Sequence, residues 1–222
     1  RQSICMVNAM ETNASINFAA SARVLPPWPS ERLKDMRILL ASGSPRRREL
    51  LSLILPHYEI AATKEIDETY PESLPAEEVP AYLSRLKAHA YLDENCDNTM
   101  IITADTVVIL DGAILGKPHS SEEACAMLGG LSGRTHTVVT GVTLTTKTKT
   151  ETFAEHTSVT FGDISPEVIA DYVERYKPFD KAGAYGIQEW IGAAGITKID
   201  GCFYNVMGLP LHALYMQLSK FD

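Results

Sequence analysis

The sequence lacks the features that mark several large classes of protein. Its four cysteines, Cys5, Cys96, Cys125 and Cys202, lie far apart and form no Cys-x-x-Cys pair. That spacing offers neither a disulfide framework nor a zinc signal, and it fits a reducing compartment. The six histidines are equally scattered, with no His-Glu-x-x-His, so each reads as a surface or hydrogen-bonded residue rather than a metal ligand. No run reaches the ~18 apolar residues that a membrane span needs. Basic residues are outnumbered, 20 against 28 acidic ones, and the net charge of −8 argues against a protein that coats nucleic acid. A small anionic substrate stays compatible, because a few local cations suffice for it. Gly-x-Gly-x-x-Gly and Gly-x-Ser-x-Gly are missing too, which removes support for cofactor-dependent redox chemistry and for serine hydrolysis.

What is present is an ordinary globular composition, 45% apolar and 22% charged over 222 residues. That length allows one large domain or two small lobes around a sizeable core. Residues 1–35 stand apart. They are rich in Ala, Ser and Asn, close on "LPPWPSERLKD" and show little periodicity. The chain opens on Arg rather than Met, and the segment has no long apolar core of a secretory signal. Glu11 and the scarcity of Arg leave a transit peptide weakly supported. The expectation is a partly disordered or expression-derived N-terminal extension ahead of one domain over residues 36–222. The Asn13-Ala14-Ser15 sequon is expected to go unused in a reducing compartment.

The run Ile38-Leu39-Leu40-Ala41 reads as a buried strand. Ser-Gly-Ser-Pro breaks it, and Ser44 is placed to cap a helix with Pro45 at its first position. A second strand around 57–62 runs into an acidic loop. Residues 77–93 predict a helix with Val79, Leu83, Leu86 and Ala90 on one face. "MIITADTVVIL" (100–110) is the strongest strand, rich in β-branched residues. Asp111-Gly112 is a turn pair, and a short strand then ends at Gly116-Lys117-Pro118. Ser120 or Ser121 starts a helix that Gly129 is expected to stop. "THTVVTGVTLTT" and "TETFAEHTSVTFGDI" flank a Lys/Thr turn as a long antiparallel hairpin. Ser165-Pro166 opens a helix to about Tyr176. A glycine-rich region follows, then a final helix from about Pro210. These elements predict an α/β fold on a mixed, twisted sheet, with two lobes and a central cleft.

Candidate chemistry starts with Arg46, Arg47 and Arg48 in the first turn of the helix after Ser44. A helix N-terminus already carries roughly half a positive charge and several unpaired N–H donors, so cations belong at its other end. The three side chains fan out at about 100° per residue, which makes at least one of them a plain surface residue. One or two can instead converge with the helix end on an anion, phosphate by type. Asp105 breaks an apolar strand, and a carboxylate there is costly unless it is paired, hydrogen-bonded or metal-bound. A structural salt bridge would explain it; a functional carboxylate explains it better. Glu65, Asp67 and Glu68 form an acidic loop that would be merely solvated by itself. Beside Asp105 it offers oxygen ligands of the kind magnesium prefers. Lys87 lies on the inward face of its helix, where its ammonium either snorkels to water or meets an anion. Lys117, in "GAILGKP", fails as a P-loop lysine because the glycines are too close and Pro replaces the hydroxyl residue. In "DKAGAYGIQ", Gly183 and Gly186 permit close backbone approach, Lys181 adds a cation, and the Gln188 amide can read a nucleobase edge. An ordinary loop would account for the glycines equally well.

In order along the chain, "LASGSPRRREL", "EIDE", "LKAHA", "TADTVV", "LGKP", "LSGRTHTVVTGV", "DKAGAYGIQ" and "VMGLPL" resemble the Maf family of nucleoside triphosphate pyrophosphatases over about residues 37–220. Each piece alone is weak; the ordered set is specific. The resemblance implies an inosine triphosphatase-like, two-lobed α/β fold, usually homodimeric and cytoplasmic, that hydrolyses a nucleoside triphosphate to the monophosphate and pyrophosphate. It implies Asp105 as proton acceptor and Glu68 with Asp105 as ligands of a divalent cation, Mg²⁺ first and Mn²⁺ or Co²⁺ as alternatives. Ser44, Arg47, Lys87, Lys117 and Lys181 become phosphate contacts. Arg46, Thr106 and Gln188 match the branch of the family that acts on dTTP and UTP. The branch acting on 7-methyl-GTP typically has an aromatic at the Arg46 position and Glu in place of Gln188. Asp67 before Glu68, where relatives often have two glutamates, is a mild departure that favours Glu68 as the ligand. The alternatives are hydrolysis of 7-methyl-GTP or a modified nucleotide, or a non-catalytic nucleotide-binding regulator of cell division, the last suggested by the family's association with septum formation.

Overall fold

One strand, β3 (Thr99–Leu110), organises the molecule. It is twelve residues long and almost wholly buried, so its β-branched and apolar side chains meet covered surfaces on both faces. The computed structural model describes residues 33–91 and 98–221; the expected extension lies, up to residue 32, outside them.

Before β3 come β1 (Arg37–Leu40), helix α1 (Pro45–Ser52), the two-residue β2 (Glu59–Ile60) and helix α2 (Val79–Ala90). After it come β4 (Ala113–Leu115), α3 (Ser121–Leu131), β5 (Thr135–Thr145), β6 (Thr150–Phe161), α4 (Pro166–Tyr176), α5 (Trp190–Gly195), β7 (Ile196–Asp200), α6 (Phe203–Met207) and α7 (Leu211–Leu218). The strands form one mixed sheet in the order β2-β1-β3-β5-β6-β7, with β4 paired to β3. β1 is parallel to both of its neighbours, and the remaining pairs are antiparallel. Since β2 lies on one side of β1 and β3 on the other, the carboxyl end of β1 is a topological switch point, where open α/β sheets form crevices.

Even-numbered β3 residues face two separate hydrophobic clusters. Met100, Ile102 and Ala104 pack with Leu50 and Leu51 of α1 and with Leu211, Leu214 and Leu218 of α7. Val108 packs with Leu128 of α3, Tyr172 of α4 and Ile191 of α5. Thr106 and its register partner Thr140 lie between the clusters, so the expected two lobes share one continuous sheet. α2 covers the other face through Val79 and Leu83, which meet Val107, Ile109 and Val139.

The caps and turns follow the sequence closely. Ser44, Ser120 and Ser165 cap α1, α3 and α4 by accepting from a backbone N–H three residues on, and the β5–β6 hairpin is continuous over eleven paired positions. Four expectations need correction. The strand expected over 57–62 is only Glu59–Ile60, because it meets β1 alone and at its very end. The helix expected over 77–93 is α2, which is entered through a 3-10 turn at Ala76–Glu78 and ends at Ala90, residues 92 and 93 of the expected span lying outside the described residues. Gly129 does not stop α3. The helix runs to Leu131 because Leu128 and Leu131 bury in the second cluster, and Gly133, at φ +68°, makes the turn instead. Finally, the glycine-rich stretch holds α5, β7 and α6, which its composition concealed.

Candidate active site

The far edge of β3 is only partly occupied. β1 pairs with Thr99–Ile102 and β4 with Val108–Leu110, so among the described residues 103–107 have no strand partner on that side. Asp105 and Thr106 sit in this gap, on opposite faces of the strand. The gap opens into a cavity of about 390 Å³, within the range of small-ligand sites. All ten candidate residues line it: Ser44, Arg46, Arg47, Glu68, Lys87, Asp105, Thr106, Lys117, Lys181 and Gln188. Glu65 and Asp67 do not, which separates Glu68 from its acidic neighbours.

The first wall is built by β3 and α2. Lys87 Nζ donates to Asp105 Oδ1 at 2.7 Å and lies 2.9 Å from Glu68 Oε2. Lys87 and Asp105 are mostly buried, while Glu68 is half exposed. What brings α2 this close is Gly141, the register partner of Asp105 on β5. A Cβ there would lie 2.3 Å from backbone atoms of Pro80 and Ala81, so any larger residue would push the helix off the sheet. One ammonium therefore bridges two carboxylates. A structural salt bridge explains the pairing of Asp105, but not the second carboxylate on the same cation.

The floor is the start of α1. Arg47 turns inward: Nε donates to Gly208 O at 2.8 Å, Nη2 to Thr106 Oγ1 at 3.0 Å and Nη1 to Ser42 Oγ at 3.4 Å. Gly208 ends α6 at φ +111°, a conformation suited to glycine that aims its carbonyl at the guanidinium. Burial lowers the Arg47 pKa, opposed by Asp105, helped by Arg46 and opposed again by Glu68; arginine remains charged regardless. All three acceptors are neutral, so none cancels its charge. Thr106 Oγ1 also shares a hydrogen bond with Thr140 at 2.9 Å. Its hydroxyl thus supports Arg47. Arg48 is not among the residues lining the cavity, which makes it the member of the trio that points elsewhere.

The second wall is the loop after α4. Arg46 Nη1 meets Asp180 Oδ2 at 2.6 Å, and Lys181 Nζ meets Asp180 Oδ1 at 2.8 Å and Glu189 Oε1 at 3.0 Å. Glu189 Oε2 accepts from Tyr172 at 2.5 Å. Burial pushes the Asp180 carboxyl up, but hydrogen bonds from Lys181 and Arg46 outweigh it and hold the pKa at about 2. Tyr185, also in the lining, hydrogen-bonds the buried His136 at 2.7 Å. Gln188 is exposed at the rim. Asp180 and Glu189 were absent from the sequence candidates. The adjacency of Asp180 to Lys181 was the available signal, since a buried lysine needs a counter-charge.

A positively biased hollow with a carboxylate at a strand edge can hold a polyphosphate and take a proton from water beside it. Comparison with known proteins agrees on kinship. The Maf-like protein family model matches residues 37–221. A dTTP/UTP pyrophosphatase of Porphyromonas gingivalis is 54% identical over 193 residues, covering 86% of this chain and 97% of the relative. One from Phocaeicola vulgatus is 51% identical over 190 residues, covering 86% and 98%. Among solved structures, a nucleoside-triphosphatase/dITP/XTP pyrophosphatase of Mycobacterium abscessus aligns with a TM-score of 0.37 and 16% identity over 58% of this chain and 76% of that one. On the family match and the two relatives, the chain belongs to the Maf-like protein family.

Proposed function

We propose that this protein hydrolyses nucleoside triphosphates, dTTP and UTP foremost, to the nucleoside monophosphate and pyrophosphate. The observation that carries the reading is the convergence of the arginine-bearing start of α1, Asp105 and Gln188 on one nucleotide-sized cavity. The names of the full-length relatives supply the substrate pair.

In this reading, water adds to the α-phosphorus and the bond to the oxygen bridging the β-phosphorus breaks. Pyrophosphate leaves with the electron pair. Asp105 accepts the proton of the attacking water, a contribution of about 10²–10⁴-fold for a positioned base. Lys87 orients that carboxylate. The α1 start with Ser44, together with Arg46, Arg47, Lys117 and Lys181, screens the phosphates through charge-assisted hydrogen bonds. Arg47 is pre-aimed by neutral acceptors, so its charge is available without reorganisation. Gln188, with Arg46, reads the base, and Thr106 acts on that choice through Arg47.

Glu68 and Asp105 also suit a divalent cation, Mg²⁺ first and Mn²⁺ or Co²⁺ otherwise. Their oxygens already converge on one cationic centre, the Lys87 ammonium, and hard oxygen donors are what such ions take. A bound ion would screen the triphosphate charge. No helix of the described residues is long and apolar enough to cross a membrane. A cytoplasmic homodimer acting on free nucleotides, without nucleic acid as partner, is the setting proposed on the resemblance and the acidic net charge.

A nucleotide panel tests the reading. Turnover of dTTP and UTP should exceed that of 7-methyl-GTP and the purine triphosphates. A clear preference for 7-methyl-GTP would overturn the branch assignment.

A further inference from the structure

Of the four charged groups on the second wall, two have an anchor other than Asp180. Glu189 is anchored by the Tyr172 hydroxyl and Lys181 by Glu189. Arg46 belongs to the α1 start, on the other side of the cavity. Asp180 is different. Its side chain is 59% exposed, and each of its oxygens meets a separate cation, Oδ2 on Arg46 at 2.6 Å and Oδ1 on Lys181 at 2.8 Å. That is the bridging pattern in which two oxygens of a phosphate would be held. It also spans the cleft, because Arg46 comes from the lobe of α1 and Lys181 from the lobe of α4.

We infer that Asp180 is an affinity-setting placeholder: its carboxylate occupies the polyphosphate cradle of the free protein and is displaced when substrate phosphates bind Arg46 and Lys181. This rests on the proposed nucleotide reading of the cavity. The charge balance supports displacement. Six cationic residues line the cavity, Arg46, Arg47, Lys64, Lys87, Lys117 and Lys181, against Glu68, Asp105 and Asp180. A triphosphate brings more negative charge than one carboxylate can match, and like charges sharing the two cations repel. Asp180 is the exposed member and can swing to solvent. Glu189, with only 18% of its side chain accessible, stays and keeps Lys181 aimed. While displaced, Asp180 also discriminates against singly phosphorylated ligands, which repay less of the lost ion pairs. The product monophosphate is accordingly released more readily than the triphosphate.

The test is Asp180→Asn, which keeps the shape and removes the charge. Calorimetry with inorganic tripolyphosphate should show the variant binding about tenfold more tightly than wild type at low salt, with the advantage shrinking as ionic strength rises. KM for dTTP should fall by a similar factor, whereas loss of a purely structural contact would raise KM and lower kcat together. Asp180→Ser serves the same purpose if the first variant folds poorly. Equal or weaker tripolyphosphate binding by a folded variant, or no binding by either protein, would overturn the placeholder. Tighter binding by the variant with no hydrolysis of any nucleotide by wild type would leave the placeholder standing and sink the proposed reaction instead.

Discussion

The two walls of the cavity use the same kinds of charged groups to opposite ends. On the β3–α2 wall, one ammonium serves two carboxylates, Asp105 on β3 and Glu68 from the loop after β2, leaving a net negative surface. At the second wall, two cations, Arg46 reaching in from α1 and Lys181 on the loop after α4, alternate with two carboxylates, and Asp180 is exposed. The first wall is fixed by packing, Gly141 against Pro80 and Ala81. The second hangs on side-chain bonds, Tyr172 to Glu189 and His136 to Tyr185. Rigid elements hold groups to finer tolerance than loops do, which supports the proposed assignment of proton transfer to the first wall and of a reversible grip on phosphates to the second.

The largest expected effect breaks the first wall at its chemistry. Asp105→Asn should lower kcat by about 10²–10⁴-fold while tripolyphosphate binding persists; undiminished turnover would remove Asp105 as the base. The next concerns the footing of the second wall. Burial holds His136 at a pKa of about 4 instead of the ordinary 6.5, so it is neutral in the folded protein. The unfolded chain takes up this proton as pH falls through 6.5. The fold therefore loses stability between pH 6.5 and about 4, by up to about 3 kcal/mol from this residue, and no further below. Urea titrations across that range should show a shallower pH slope for His136→Gln than for wild type, and identical slopes would contradict the assignment. Third, Gly141→Ala should cost about 1–3 kcal/mol from overpacking and depress kcat by displacing Lys87; a variant with wild-type melting and turnover would show that α2 is not held by this contact. Smallest is Glu68→Gln. It should weaken Mn²⁺ binding by about tenfold, measured by electron paramagnetic resonance without substrate. Equal Mn²⁺ affinity would take Glu68 out of the metal site.

The first wall was legible in the sequence and the second only through Arg46, Lys181 and Gln188, for physical reasons. A lone Asp within β-branched residues announces itself, because few apolar strands tolerate an ionised carboxylate without purpose. The SPRR helix start is equally readable, since its charges oppose the helix dipole. Asp180 and Glu189 carry no such signature. Their meaning lies in partners such as Arg46, 134 residues from Asp180, which local patterns do not connect. Glycine richness hid α5, β7 and α6 because glycine lowers both helix and strand propensity, while here tertiary packing of Ile191 and the edge of β6 override it. Thr106 shows a subtler gap: its position was legible, but its bond to Arg47 required coordinates.

The most direct measurement is of the products formed from dTTP, followed by ³¹P nuclear magnetic resonance. The account predicts dTMP and pyrophosphate in equal amounts from the first turnover. Appearance of dTDP and orthophosphate would place the cleavage at the wrong phosphorus and contradict it.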